Sequence, residues 1–155
     1  MVDEQVWQRE LEALRIREKA ATRELDAIAA QRRRLPMVVM PDYVLEGENG
    51  PVCLAEIFDG KSQLIVYHHM WSADEEWQCS GCTGFTSQFT RLEFLDNYDA
   101  RFVIVTTGPI QAALDYKQKV GNPMAWYSSS ESRFAADHGC TPRWGFCGQR
   151  VIPRR

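Results

Sequence analysis

Two cysteines separated by two residues, Cys79-Ser80-Gly81-Cys82, are the residues of this chain whose type and spacing carry redox chemistry. A disulfide closes when its Cα atoms lie within about 4.4–6.8 Å, and positions i and i+3 at a helix start meet that limit. The unpaired N–H groups and positive dipole end of a helix N-terminus also favour a thiolate. Cys79, at the accessible start, is the candidate nucleophile, and Cys82, one turn further in, the candidate resolving thiol. The acidic run Asp74-Glu75-Glu76 just upstream opposes further negative charge, so a strongly depressed thiol pKa is not expected. The order strand, loop, C-x-x-C, helix fits a thiol redox site.

Other roles for the pair stay open. A zinc-stabilised fold needs about four ligands, of which the pair supplies two. His138, Cys140 and Cys147 could add to them, although their spacing matches no compact zinc knuckle. The pair could also be inert within a non-catalytic module for self-association or partner binding. Cys53 reads as a small core or edge residue of a strand. His68 and His69 are neighbours on a predicted strand and so point to opposite faces, which makes them poor joint ligands for one metal. One is expected toward the core and the other toward the loop carrying the cysteines. No cofactor is called for.

The elements that must position the pair follow from periodicity. Trp7, Leu11, Leu14, Ala21, Leu25, Ile28 and Leu35 keep the spacing of an amphipathic helix over residues 3–34, stopped by Leu35-Pro36. Met37–Met40 reads as a short extended run. Tyr43–Gly47 and Val52–Leu54 flank Asn49-Gly50 as a β-hairpin, and Ala55–Phe58 is one helical turn closed by Asp59-Gly60. Leu64–Met70 is a strand buried on both faces, as in a parallel sheet. Then come a loop over 71–78, a helix over 83–97 and a buried strand over 102–107. A helix from Gly108-Pro109 to Gly121 and a strand at 124–128 follow. Ser128-Ser129-Ser130-Glu131 reads as a capping box for a short helix ending at Gly139. Alternation of strand and helix makes the class α/β with a mainly parallel sheet.

The bulk properties narrow the function. The 155 residues suit one core, and five cysteines with no secretory signal at the acidic start argue against a secreted disulfide scaffold. A net charge of -3 points to neither nucleic acid nor membrane as partner. No apolar run approaches the ~20 residues of a membrane helix. A cytoplasmic setting is the expectation.

Asp42-Tyr43-Val44, Asp59–His68, Cys79-Ser80-Gly81-Cys82 and Trp126-Tyr127-Ser128-Ser129 together resemble the domain of unknown function 899 family, over roughly residues 3–142. That family is placed in the thioredoxin-like superfamily, near the peroxiredoxin-type branch. The resemblance implies a thioredoxin-like domain over 37–139, following the amphipathic helix of 1–36; residues 140–155, with four arginines, no acidic residue and no clean period, read as a basic irregular tail. It places Cys79 and Cys82 at the redox pair, acting on a thiol or disulfide substrate, small molecule or protein. Peroxiredoxins carry Thr three positions before the peroxidatic cysteine and Pro further upstream. Glu76 and Ser72 stand in those places, which disfavours a peroxidase. Family members continue into two further strands and a helix, so the chain reads as truncated, its final strands missing. The strand at 64–70 would then keep an unpaired edge, a route, with the N-terminal helix, to a homo-oligomer.

Overall fold

The computed structural model describes residues 2–36, 38–140 and the backbone of 150–153. These divide into two compact units, residues 1–40 and 41–155.

The first unit is a single helix, α1 (Glu4–Arg33). Asp3 caps it, its Oδ1 accepting the Gln5 N–H at 2.7 Å. Glu4 in the first turn and Arg32 and Arg33 in the last complement the dipole. Val38–Met40 join no strand or helix; Met37 lies outside the described residues.

The second unit is an α/β domain built on one sheet. Its elements are β1 (Val44–Gly47), β2 (Gly50–Cys53), α2 (Leu54–Ile57), β3 (Gln63–His69) and α3 (Ser80–Thr86), then a 3-10 helix (Leu92–Tyr98), β4 (Ala100–Thr106), α4 (Ile110–Lys119), β5 (Trp126–Ser128), α5 (Phe134–Asp137) and β6 (Arg150–Pro153). The sheet order is β2-β1-β5-β4-β3-β6. β3, β4 and β5 run parallel, with Gln63 opposite Ala100 and Ile104 opposite Trp126. The hairpin β1–β2 joins the far side of β5 in antiparallel sense. Its tight turn is Glu48-Asn49, one residue earlier than expected, with Gly50 taking the positive φ of 105° that follows.

The central strands explain themselves by burial on both sides. Phe102, Val103, Ile104 and Val105 are all buried, because helices cover each face of a parallel sheet. Ile65, Tyr67, Phe102, Ile104 and Trp126 share one face, which packs against Ala113 and Tyr116 of α4. Arg101 lies on the other face, where its Nη1 donates to the Ile57 carbonyl of α2 at 2.6 Å.

Two expectations need correcting. The helix expected over 83–97 is two short pieces. Thr86 Oγ1 donates back to the Cys82 carbonyl at 3.0 Å and Ser87 Oγ to that of Gly84 at 2.9 Å. Such back-bonding competes with helix propagation, and the chain re-forms only as the 3-10 turn. The tail is also not wholly irregular. Backbone 150–153 pairs antiparallel with β3, Ile152 opposite Leu64, so β3 is an interior strand at residues 63–66 rather than an open edge. The serines of the expected capping box point into the sheet instead: Ser129 Oγ donates to the Thr106 carbonyl at 3.1 Å and Ser128 Oγ to that of Gly108 at 2.6 Å.

His68 lies on the face opposite Tyr67 and His69, beside Val105. Its Nδ1 is buried without a hydrogen-bond partner. Burial, and after it the neighbouring His69, pushes its pKa down to about 4. The unfolded chain therefore takes up a proton here before the folded chain does, and stability falls as pH drops through the window from about 6.5 to about 4. The gap in urea midpoint between wild type and His68→Leu should change in favour of the variant across that window. A gap that stays constant with pH would show that His68 does not titrate there.

Candidate active site

Cys79 and Cys82 lie at the start of α3, as the spacing predicts. Cys79 is the N-cap, and its Sγ accepts the Cys82 N–H at 3.4 Å while its carbonyl accepts the Thr83 N–H at 2.9 Å. Both are free thiols; Cys79 is partly exposed and Cys82 is buried, 6% accessible. Burial pushes the Cys82 thiol up, and nearby Cys79 adds to that. Hydrogen bonds from the Tyr67 hydroxyl and the Met70 backbone act in the opposite direction.

A helix of seven residues holds no fixed position unaided, and its anchor is Thr83. The Thr83 hydroxyl lies 3.3 Å from His69 Nε2 and 2.7 Å from the Tyr116 hydroxyl. His69 Nδ1 sits 3.0 Å from the Met70 carbonyl, which can only accept, so Nδ1 carries the proton. Nε2 therefore accepts from Thr83, and Tyr116 donates to Thr83. The chain of donors runs from α4 through α3 to the end of β3. His69 is fully buried and its pKa is lowered, chiefly by burial, so the imidazole stays neutral. Of the two adjacent histidines, this one is both the core residue and the one facing the cysteine helix.

The loop before Cys79 is stapled by one side chain. Gln78, 4% accessible, accepts the Ser72 N–H at 2.7 Å and donates to the carbonyls of Ser72 at 2.9 Å and Glu75 at 2.7 Å. On its outer side Lys119 Nζ stands 2.8 Å from Glu76 Oε1 and 4.0 Å from the centre of the Trp77 ring. Lys119 thus neutralises the member of the acidic run nearest the cysteines, which the sequence left as an unopposed charge. The Trp71 ring lies on Gly108, where a Cβ would come within 2.2 Å of it.

Tyr67, Gln78, Thr83 and Tyr116 were absent from the residues singled out by sequence. Only Tyr67 left a signal, since strand alternation puts it on the same face as His69. Of the further ligands considered for zinc, His138 follows α5, its Nδ1 2.7 Å from the Phe134 carbonyl. Among the described residues no group of three or more His, Cys, Asp or Glu side chains could hold a metal ion. Cys140 is buried and disulfide-bonded, and Cys147 lies outside the described residues. Cys53 is exposed on β2, the edge strand.

Residues 1–145 match the family described as bacterial protein of unknown function, DUF899. The chain belongs to this family. No curated protein matches it. Among solved structures the DUF899 chain is similar to peroxidoxin BcpB from Mycobacterium tuberculosis, at 17% identity and a TM-score of 0.53, covering 66% of this chain and 64% of that one. It is also similar to a candidate thiol-disulfide oxidoreductase from Bacteroides vulgatus, at 21% identity and a TM-score of 0.50, covering 76% of this chain and 78% of that one. A yeast mitochondrial 1-Cys peroxiredoxin shares 13% identity at a TM-score of 0.50, over 66% of this chain and 52% of that one. The DUF899 chain thus spans a little under two thirds of BcpB. At such identities the likeness is one of fold, and the fold is thioredoxin-like. Among the described residues no helix is long and apolar enough to cross a membrane.

Gly108 gives a direct check on how this DUF899 site is assembled. Gly108→Ala should cost about 1–3 kcal/mol of stability, because its methyl group must displace the Trp71 ring. Urea denaturation measures this, and an unchanged midpoint would show that Trp71 does not rest there.

Proposed function

We propose that the protein is a thiol–disulfide oxidoreductase, with Cys79 as nucleophile and Cys82 as resolving thiol. One observation carries the reading: Cys79 Sγ, partly exposed at the N-cap of α3, already accepts the N–H of the buried Cys82 at 3.4 Å. A group that receives an N–H is stabilised as its charge develops, and burial keeps the second thiol from competing for substrate.

In the reductive direction the Cys79 thiolate attacks one sulfur of a substrate disulfide. That S–S bond breaks, a mixed disulfide forms, and the first substrate half departs as thiolate and takes up a proton. Cys82, losing its proton, attacks the Cys79 sulfur; the mixed disulfide breaks and the second half leaves as thiol. Two electrons pass from the dithiol to the substrate, and the reverse sequence oxidises a dithiol. The substrate is a small-molecule or protein disulfide, and a cytoplasmic setting belongs to the same reading. Peroxidase chemistry is set aside. Glu76 turns outward to Lys119, and Ser72 meets Gln78 through its backbone, so neither takes the place of the Thr and Pro that peroxiredoxins carry at those positions.

With Cys53→Ser as background, Cys79→Ser should abolish exchange with a reporter disulfide. Cys82→Ser should instead accumulate a stable mixed disulfide at Cys79, seen as a stoichiometric mass increase. If both thiols of the folded protein stay unmodified by alkylating agents, the proposal fails.

A further inference from the structure

The apolar stripe of α1 returns every seven residues without drift. Trp7, Leu14, Ala21 and Ile28 form one row and Leu11 and Leu25 the other, which Glu18 and Arg32 complete. A straight helix has about 3.6 residues per turn, so a strict seven-residue repeat stays on one line only against a second helix around which it supercoils. No residue of α1 is buried, and Trp7, Leu14, Leu25 and Ile28 are exposed. The 30 residues of α1 run about 45 Å. Among the described residues no other helix exceeds the ten of α4. Within them, the segment that matches the stripe along its whole length is α1 of a second copy.

The charges on and beside the stripe select the direction. In a parallel pair Glu18 would face the partner's Glu18 and Arg32 the partner's Arg32, two like pairs in the seam. An antiparallel pair relieves both when Leu14 lies opposite the partner's Leu25 and Leu11 opposite the partner's Ile28. Glu18 then faces the small side chain of the partner's Ala21, and Arg32 meets the ring of the partner's Trp7, a favourable cation–π pairing. The two Glu18 carboxylates fall in neighbouring layers at the centre, the weakest point of the pair.

The flank fixes the register. In this alignment Arg17 lies beside the partner's Glu24, and two-fold symmetry makes that pair occur twice. A slip of seven residues one way sets Arg17 against the partner's Arg17, and a slip the other way sets Glu24 against the partner's Glu24. Exposed pairs of this kind add little stability, but they penalise the wrong alignments. We infer that α1 is a self-association site, through which two copies of the chain pair as antiparallel helices with Leu14 opposite the partner's Leu25 and Arg17 beside the partner's Glu24. The inference is independent of the exchange chemistry.

Sedimentation equilibrium of the full chain tests it, under reducing conditions so that the exposed Cys53 does not link copies. Wild type should show a concentration-dependent monomer–dimer equilibrium, and Leu25→Glu should remain monomeric. Arg17→Glu and Glu24→Arg should each raise the dissociation constant about tenfold, because two attractions become two repulsions. The double exchange, Arg17→Glu with Glu24→Arg, should restore it; a parallel pair does not bring these two positions together and would show no such rescue.

Wild type that stays monomeric at millimolar concentration overturns the proposal, as does a dimer that survives Leu25→Glu. A double exchange that restores nothing overturns the antiparallel register. In dilute monomer Leu25→Glu should leave the urea midpoint of the α/β unit in place. A lowered midpoint there would assign the stripe to the chain's own α/β domain and overturn self-association.

Discussion

The hydrogen bond between the hydroxyls of Thr83 and Tyr116, 2.7 Å long, is the contact on which the site depends. α3 has only seven residues and ends where its own side chains bond back to its carbonyls. Such a segment does not stay helical or hold its place through propensity alone. Thr83 is the residue after Cys82, and through it the helix reaches α4 on one side and His69 of β3 on the other. The cysteines owe their orientation to that junction more than to a helix dipole, which is small over two turns.

The same junction explains why the histidine of the core is neutral. A protonated His69 would require Thr83 to turn its hydroxyl proton away from the ring, whereas neutral His69 accepts that proton at Nε2 as the bonds stand. Burial and the direction of the donor chain agree on the uncharged form. The layer behind the cysteines is therefore polar in its bonding and uncharged in sum.

Much of this architecture was legible in the sequence, and the reasons differ by element. β3 and β4 are short continuous apolar runs of β-branched and aromatic residues, a pattern that a doubly covered parallel strand produces. The hairpin declared itself through Asn49-Gly50, and the assignment of Cys79 to the open side and Cys82 to the core follows from counting along the helix. The length of α3 was not legible. Thr86, Ser87 and Gln88 look harmless in a helical window, and only their back-bonding shows that they end it. The strand at 150–153 was hidden for another reason: a four-residue segment holding one proline and one arginine has no readable period, and its pairing comes from the open side of β3. Gln78 bonds to Ser72 and Glu75 within an irregular loop that has no period to mark it, and Tyr116 acts across the fold, its hydroxyl partner lying in another element.

Gln78 has one more consequence. Its amide occupies three backbone groups of the loop that leads to Cys79, so those residues have already surrendered much of their freedom. Fixing one residue's backbone costs about 1–2 kcal/mol in lost entropy. A disulfide arriving at Cys79 meets a loop whose ordering was completed when the chain folded. Little of its binding free energy is then diverted to shaping the surface it lands on, and more remains for aligning the three sulfurs of exchange.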